Sequence, residues 1–247
     1  MWENICSEKC KAYIESHFHF KGKDASEDSA RPAITISRAE GAGGLTVASE
    51  LADYLQENVP SHEVWTVFSR YLVAKVLEEH NHRKGVGDFM KEDRKAMLID
   101  AIEELLGLHP STWTLVEQTN ATILRLAKAG NVILVGRGSS IVTGKLRNVF
   151  HVRLTGSLEK RIEQAQKVFG YDRKTATEYI KKKDQARRRY IKHNFDKDID
   201  DPLLYHVTIN TDLVAHYEAA RLVGNEVIKH FKLDSPAKMM ANGNRLT

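Results

Sequence analysis

The stretch Ile34-Thr35-Ile36-Ser37-Arg38-Ala39-Glu40-Gly41-Ala42-Gly43-Gly44-Leu45-Thr46 decides the fold class of this chain. Ile34-Thr35-Ile36 reads as a short buried strand, and the glycines follow it at once. Beyond them Val47, Leu51 and Leu55 recur at helical spacing. A strand, a glycine loop and a helix start bring unpaired backbone N–H groups and the positive end of a helix dipole to one point. Glycines let that backbone approach a ligand closely and reach positive φ. The expected ligand is a phosphate chain, held by Gly41, Ala42, Gly43, Gly44, Leu45 and Thr46. The usual phosphate loop ends Gly-Lys-Ser/Thr. Here Gly44 stands where the lysine would be, and Thr46 stands near the position of the hydroxyl that reaches Mg²⁺. A bare Gly-x-Gly-Gly is equally a tight turn without a ligand; the strand before it and the helix after it favour phosphate.

Outward from this loop, short apolar segments alternate with longer helical ones. Ser61–Arg83 reads as mixed helical, broken by Gly85 and Gly87. Phe89–Leu106 is amphipathic, with Met90, Met97, Leu98, Ile102 and Leu105 on one side. Thr114–Ala129 is a further helix, and Asn131–Val135 is an apolar strand running into Gly136-Arg137-Gly138. Val149–Leu154 is a strand, Leu158–Phe169 and the basic Ala176–Lys192 are helices, and Val207–Ile209 is a short strand. Leu213–Phe231 closes the pattern as a helix, with Leu213, Tyr217, Ala220, Val227 and Phe231 in a stripe. This alternation predicts an α/β fold, a parallel sheet covered by helices on both faces. Residues 1–31 read as a helix and a polar linker, and 234–247 as a polar tail.

The bulk composition narrows the function. The 247 residues are 42% hydrophobic and 28% charged, ordinary values for a globular protein. A net charge of +4 suits an anionic ligand and is too small to indicate nucleic acid by itself. Two cysteines are too few for a secreted disulfide scaffold, which points to a reducing cytoplasm. The longest apolar run, Val132–Val135, is far short of a membrane span, and the N-terminus does not read as a signal peptide. Cys6, Cys10, His17 and His19 have ligand types that zinc accepts, but not finger spacing, and the segment reads as a plain terminal helix outside the core. No Gly-x-Ser-x-Gly elbow is present, so a serine hydrolase is not indicated.

Four blocks in order resemble the cytidylate kinase-like family. They are Ile34-Thr35-Ile36-Ser37-Arg38 with Gly41-Ala42-Gly43-Gly44, then Val132–Gly138 ending Gly-Arg-Gly, then Asp184, Arg187 and Tyr190 at Asp-x-x-Arg-x-x-Tyr spacing, and Tyr205 through Asn210-Thr211. The resemblance implies a P-loop-type three-layer α/β/α core with a five-stranded parallel sheet over residues 32–233. It implies a helical acceptor-binding insert at about 58–112 and a mobile helical lid at about 158–195. The implied reaction is transfer of the γ-phosphoryl group of Mg·ATP to a nucleoside monophosphate, CMP or dCMP.

Phosphoryl transfer asks a protein mainly for positioning and charge neutralisation, and arginine suits both. The expected charge stabilisers are Arg38, Arg137, Arg161, Arg187 and Arg188, with Asp184 orienting Arg187 or Arg188 along one helix face. Ser37, Ser69, Arg70, Arg137 and Tyr190 are the expected acceptor contacts, and Thr46 the Mg²⁺ contact. Leu45, Ser69 and His206 stand where the family usually carries a basic residue, an Asp and an Asp. Two alternatives remain. One is a nucleotide-binding regulator without turnover; the other is a nucleic-acid binder using the lysines and arginines of 181–192. The oligomeric state is not legible.

Overall fold

The computed structural model describes residues 9–10, 12–14, 16, 31–60, 64–69, 111–136 and 138–233. Strand β1, Ala33–Arg38, is the middle of a five-stranded sheet. Its neighbours are β3 (Val132–Val135) and β4 (Val149–Thr155), flanked by β2 (Thr66–Phe68) and β5 (Val207–Asn210). The order is β2-β3-β1-β4-β5, and every pairing is parallel. Ile34 sits beside Ile133 on one side and Phe150 on the other, so the glycine loop leaves the middle of the sheet's C-terminal edge. In open parallel sheets that edge is where ligands bind.

Side chains alternate across the sheet, and the two faces differ. Ile34, Ile36, Ile133, Val152 and Leu154 point to one face. They are covered by α1 (Gly44–Asn58), the helix after the loop, and by α6 (His216–His230) at the end of the fold. Val47, Leu51 and Leu55 of α1 are fully buried there, as their spacing requires. Each such side chain contributes about 2 kcal/mol of hydrophobic stabilisation. On the other face, Ala33, Val132, Leu134 and Val149 pack under Ile123 and Leu126 of α2 (Ser111–Ala129). Thr35, Ser37, His151 and Arg153 lie on this second face too, giving β1 and β4 a polar stripe beside an apolar one.

Helices α4 (Leu158–Phe169) and α5 (Arg173–Phe195) form a hairpin of their own. Gly170, at φ 68°, ends α4. Asp172 caps α5 by accepting the Thr175 N–H at 2.7 Å. Ile162 and Ala165 meet Ala176 and Ile180 between them.

Three expectations need correction. Ser61–Arg83 is not helical at Thr66–Phe68, which forms the edge strand β2. Three residues are too few for a periodic signal, and pairing to β3 decides their state. The terminal segment is not outside the core: Cys10 and Tyr13 are buried against Phe68 and the second sheet face. Leu213 and Tyr217 do not belong to the buried stripe of the last helix. They are 82% and 57% exposed, and the buried face is Ala219, Ala220, Val223, Val227 and Ile228. Leu213 precedes the helix, which begins at His216, and Tyr217 lies in its first turn outside the buried face. One turn, α3 (Ser139–Val142), had no sequence expectation. Most of the expected insert, including Phe89–Leu106, lies outside the described residues, as do Cys6, His17 and His19.

Candidate phosphate-binding site

Gly43, at φ 76°, is the N-cap of α1 and has no side chain to satisfy the first N–H groups. Val47 is the first residue to bond back, to the Gly43 carbonyl at 2.9 Å. The N–H groups of Gly44, Leu45 and Thr46 therefore lack a carbonyl one turn earlier. Leu45 and Thr46 are exposed at this helix start. This is the local geometry that holds a phosphate. The glycines also make room for neighbours. A Cβ on Gly41 would lie 3.0 Å from the Cβ of Arg161, and one on Gly43 would overlap the His216 imidazole.

Four charged side chains close over the loop. Arg161 of α4 donates from Nη1 to the Glu40 carbonyl at 3.0 Å and to Asp184 of α5 at 2.6 Å. Its Nε donates to the Gly156 carbonyl at 3.0 Å. The Glu40 N–H donates to the other Asp184 oxygen at 2.8 Å. Arg187, one turn further along α5, donates to the Glu40 carboxylate. Its Nη1 lies 3.5 Å from Asp184 and is buried without a hydrogen bond among the described residues. These side chains are 13% to 23% exposed. Two arginines and two carboxylates thus tie the helical hairpin to the loop, and their charges cancel.

Residues 33–213 match the sequence profile of the cytidylate kinase-like family. The chain belongs to that family. No curated protein matches it. Among solved structures, an uncharacterized protein from Eubacterium ventriosum ATCC 27560 is 20% identical, with a TM-score of 0.58 over 80% of this chain and 98% of that one. TT1252 from Thermus thermophilus is 15% identical, with a TM-score of 0.45 over 81% and 98%. Shikimate kinase from Bacteroides thetaiotaomicron is 15% identical, with a TM-score of 0.43 over 80% and 98%.

In this family member Arg38, Arg161, Asp184 and Arg187 lie at the glycine loop. Arg188 does not. It points from α5 to Asp200, Nε to Oδ2 at 3.0 Å. Asp184 orients Arg187 and Arg161 rather than Arg188, because Arg188 lies on the outer side of α5 and is 61% exposed. Ser37 sits beneath, accepting from Nη1 of Arg153 at 2.9 Å, with the Tyr205 hydroxyl at 3.1 Å. Tyr190 packs edge-on to Phe195 at 5.9 Å, and Phe195 lies against Gly138. Ser69 follows the C-terminal end of β2, at the sheet's edge. Arg70 and Arg137 lie outside the described residues; Gly136 and Gly138, which flank Arg137, both have positive φ. His206 is remote from the loop. It accepts from the His151 N–H at 2.9 Å and stacks on Phe150 near the start of β4.

Sequence reasoning missed Glu40, Arg153, Asp200 and His216. Arg153 had a readable signal, since a charge inside an otherwise apolar strand must be paired. It is buried, donates to Ser37 and Asp200, and lies 5.7 Å over the Tyr205 ring. Burial pushes the Asp200 carboxyl up, but the Arg188 hydrogen bond and the charges of Arg153 and Arg188 outweigh it and hold the carboxyl below its usual range. His216 had no signal, because only the docking of α6 brings it over Gly43.

Beside the loop, a cavity of about 200 Å³ opens between α4 and the β5–α6 turn. Gly41, Lys160, Arg161, Lys167, Asp212 and His216 line it. Asp212 accepts the Ser157 N–H at 2.8 Å, which ties the β5–α6 turn to the start of α4. The helix-start N–H groups, with Arg38 and Arg161 against the loop, fit a phosphate chain, while the cavity beside it also carries the carboxylates of Glu163 and Asp212. The Thr46 hydroxyl, in the first turn of α1, could hold a divalent cation. Among the described residues no cluster of three His, Cys, Asp or Glu could hold a metal by itself. Among them, too, no helix is long and apolar enough to cross a membrane.

Proposed function

We propose that this protein is a nucleotide kinase that transfers the γ-phosphoryl group of ATP to a nucleoside monophosphate, with CMP or dCMP as the acceptor its family suggests. The observation that carries the reading is the convergence of Arg161 and Arg187 on the glycine loop at Glu40 and Gly41. A phosphate chain on the N–H groups of Gly44, Leu45 and Thr46 would lie beneath those guanidinium groups. Arg161 and Arg187 would then neutralise the charge that moves during transfer. The donor's base end would lie toward the cavity of about 200 Å³ along Arg161. Mg²⁺, when bound, would supply further neutralisation, with Thr46 the protein group that would hold it. The α4–α5 hairpin acts as a lid in this reading, and its closure excludes water that would hydrolyse ATP.

The test is incubation with Mg·ATP and a panel of nucleoside monophosphates, followed by separation of the products. A new diphosphate from one acceptor, lost in Arg187→Ala, supports the reading and names the acceptor. ATP binding with no product from any acceptor rejects it in favour of a nucleotide-binding regulator. One observation favours that second reading: Glu40 and Asp184 already neutralise the two arginines.

A further inference from the structure

We propose that Arg38 is the phosphate-binding cation of this loop, reaching from the end of β1 into the place that a lysine at position 44 fills in the usual phosphate loop. The proposal rests on the phosphate-binding reading of the loop and deepens it.

The usual spacing is Gly, four residues, Gly, Lys. With Gly43 as the second glycine, the first glycine falls on Arg38 and the lysine on Gly44. A cation and a glycine have therefore exchanged places across the loop. The geometry explains why both changes occur together. A Cβ on Gly44 would lie 2.9 Å from Cγ, 3.2 Å from Cδ and 3.3 Å from Cβ of Arg38. Gly44 is not among the residues with positive φ, so its backbone does not require glycine. The Arg38 stem requires it, because that stem runs through the space a side chain at 44 would take.

The head of Arg38 ends at a second glycine. A Cβ on Gly136 would overlap its Nη1 and come within 3.1 Å of its Cζ. The guanidinium thus lies between the start of α1 and the turn after β3, at the middle of the sheet's C-terminal edge. In the proposed reading this head would lie between a phosphate chain on the loop and an acceptor beside Gly136. Arginine suits this position better than lysine, because its planar head offers donors to two phosphate groups and stays charged. Arg161 and Arg187 meet the loop at Glu40, from the helical hairpin. The loop therefore receives one cation from the sheet and two from the hairpin.

The exchange makes Arg38 and a lysine at 44 alternative occupants of one space, and this is testable without turnover. Tripolyphosphate and ATP binding would be measured by calorimetry for the full chain and for Arg38→Met, Arg38→Ala, Gly44→Lys and the double variant Arg38→Ala/Gly44→Lys, with thermal melts alongside. The parent chain is expected to bind both ligands, and Arg38→Met to bind them about tenfold more weakly or worse. Gly44→Lys alone is expected to lose affinity, since its Cβ meets the Arg38 stem. The double variant is expected to regain most of what Arg38→Ala loses. A parent chain that binds neither ligand overturns the phosphate reading and the proposal with it. A parent chain that binds, with Arg38→Met unchanged, overturns only the role of Arg38. Loss in Arg38→Met and Arg38→Ala without recovery in the double variant overturns the exchange.

Discussion

Nη1 of Arg161 donates to the Glu40 carbonyl at 3.0 Å and to the Asp184 carboxylate at 2.6 Å, so one nitrogen joins the glycine loop to both helices of the α4–α5 hairpin. Asp184 completes the link by accepting the Glu40 N–H. Removing Asp184 leaves a mostly buried guanidinium and a backbone N–H without their shared partner. Asp184→Ala is therefore expected to cost about 2 kcal/mol of stability. It should also speed tryptic cutting at Lys181 and Lys182, which are exposed on α5. Urea unfolding and a digestion time course check the two effects; unchanged values of both would mean the hairpin is held by its apolar seam alone.

Glu40 competes for Arg187. Its carboxylate pairs with the guanidinium that a phosphate would use, and like charge opposes an incoming phosphate. Glu40→Gln is expected to tighten ATP binding several-fold, read by calorimetry at constant ionic strength. The gain should shrink in high salt as the charges are screened. Weaker binding in this variant would show instead that the carboxylate orients Arg187 for the ligand.

Gly224 lies where α6 crosses α1. A glycine inside a helix ordinarily gains about 1 kcal/mol on replacement by alanine. Here the added Cβ would overlap the Tyr54 ring and come within 2.7 Å of its Cε1. Tyr54 is itself held by its hydroxyl, which donates to Asn225 at 2.6 Å. Gly224→Ala is therefore expected to lower stability by about 1–2 kcal/mol, against the propensity trend. In a Tyr54→Ala background the same change should become stabilising, and thermal melts of the four proteins decide it.

Stability should fall in mild acid. Burial, with the nearby His206 charge adding to it, lowers the His151 imidazole from 6.5 to about 4. The His206 imidazole is also lowered, by burial and by His230. In each case the folded form holds its proton less well than the unfolded chain. The stabilisation is thus complete above about pH 6.5 and is lost as the pH falls toward 4. For His151 the loss amounts to about 3 kcal/mol. Denaturant midpoints between pH 4 and 7 should show the slope, and His151→Gln should flatten most of it. An equal slope in that variant would move the cause to other groups.

Much of this fold was legible because the reading rested on local patterns. The glycine loop between Ile36 and Val47, the Gly-Arg-Gly turn after β3 and the spacing of Asp184, Arg187 and Tyr190 are all short-range features. The apolar residues of β1, β3 and β4 mark these strands, and β5 shows only Val207 and Ile209. β2 carries no such mark, because Thr66–Phe68 is too short to show a period and owes its state to pairing with β3. The family resemblance supplied the count of five strands that periodicity alone did not.

The candidate site divides in the same way. The sequence by itself determined which residue types stand at the loop and on α5, because helix starts, glycines and arginines carry their chemistry with them. Only the tertiary structure decided their partners. Arg187 meets Glu40 across 147 residues of chain. Arg188, its immediate neighbour, turns to Asp200 because a helix rotates successive side chains by about 100°. The space that Gly44 leaves is filled by Arg38 from the preceding strand, and the Gly43 loop is covered by His216 from the last helix. Such contacts depend on how rigid elements dock, and docking is set by the summed burial of both sheet faces rather than by any local run of residues.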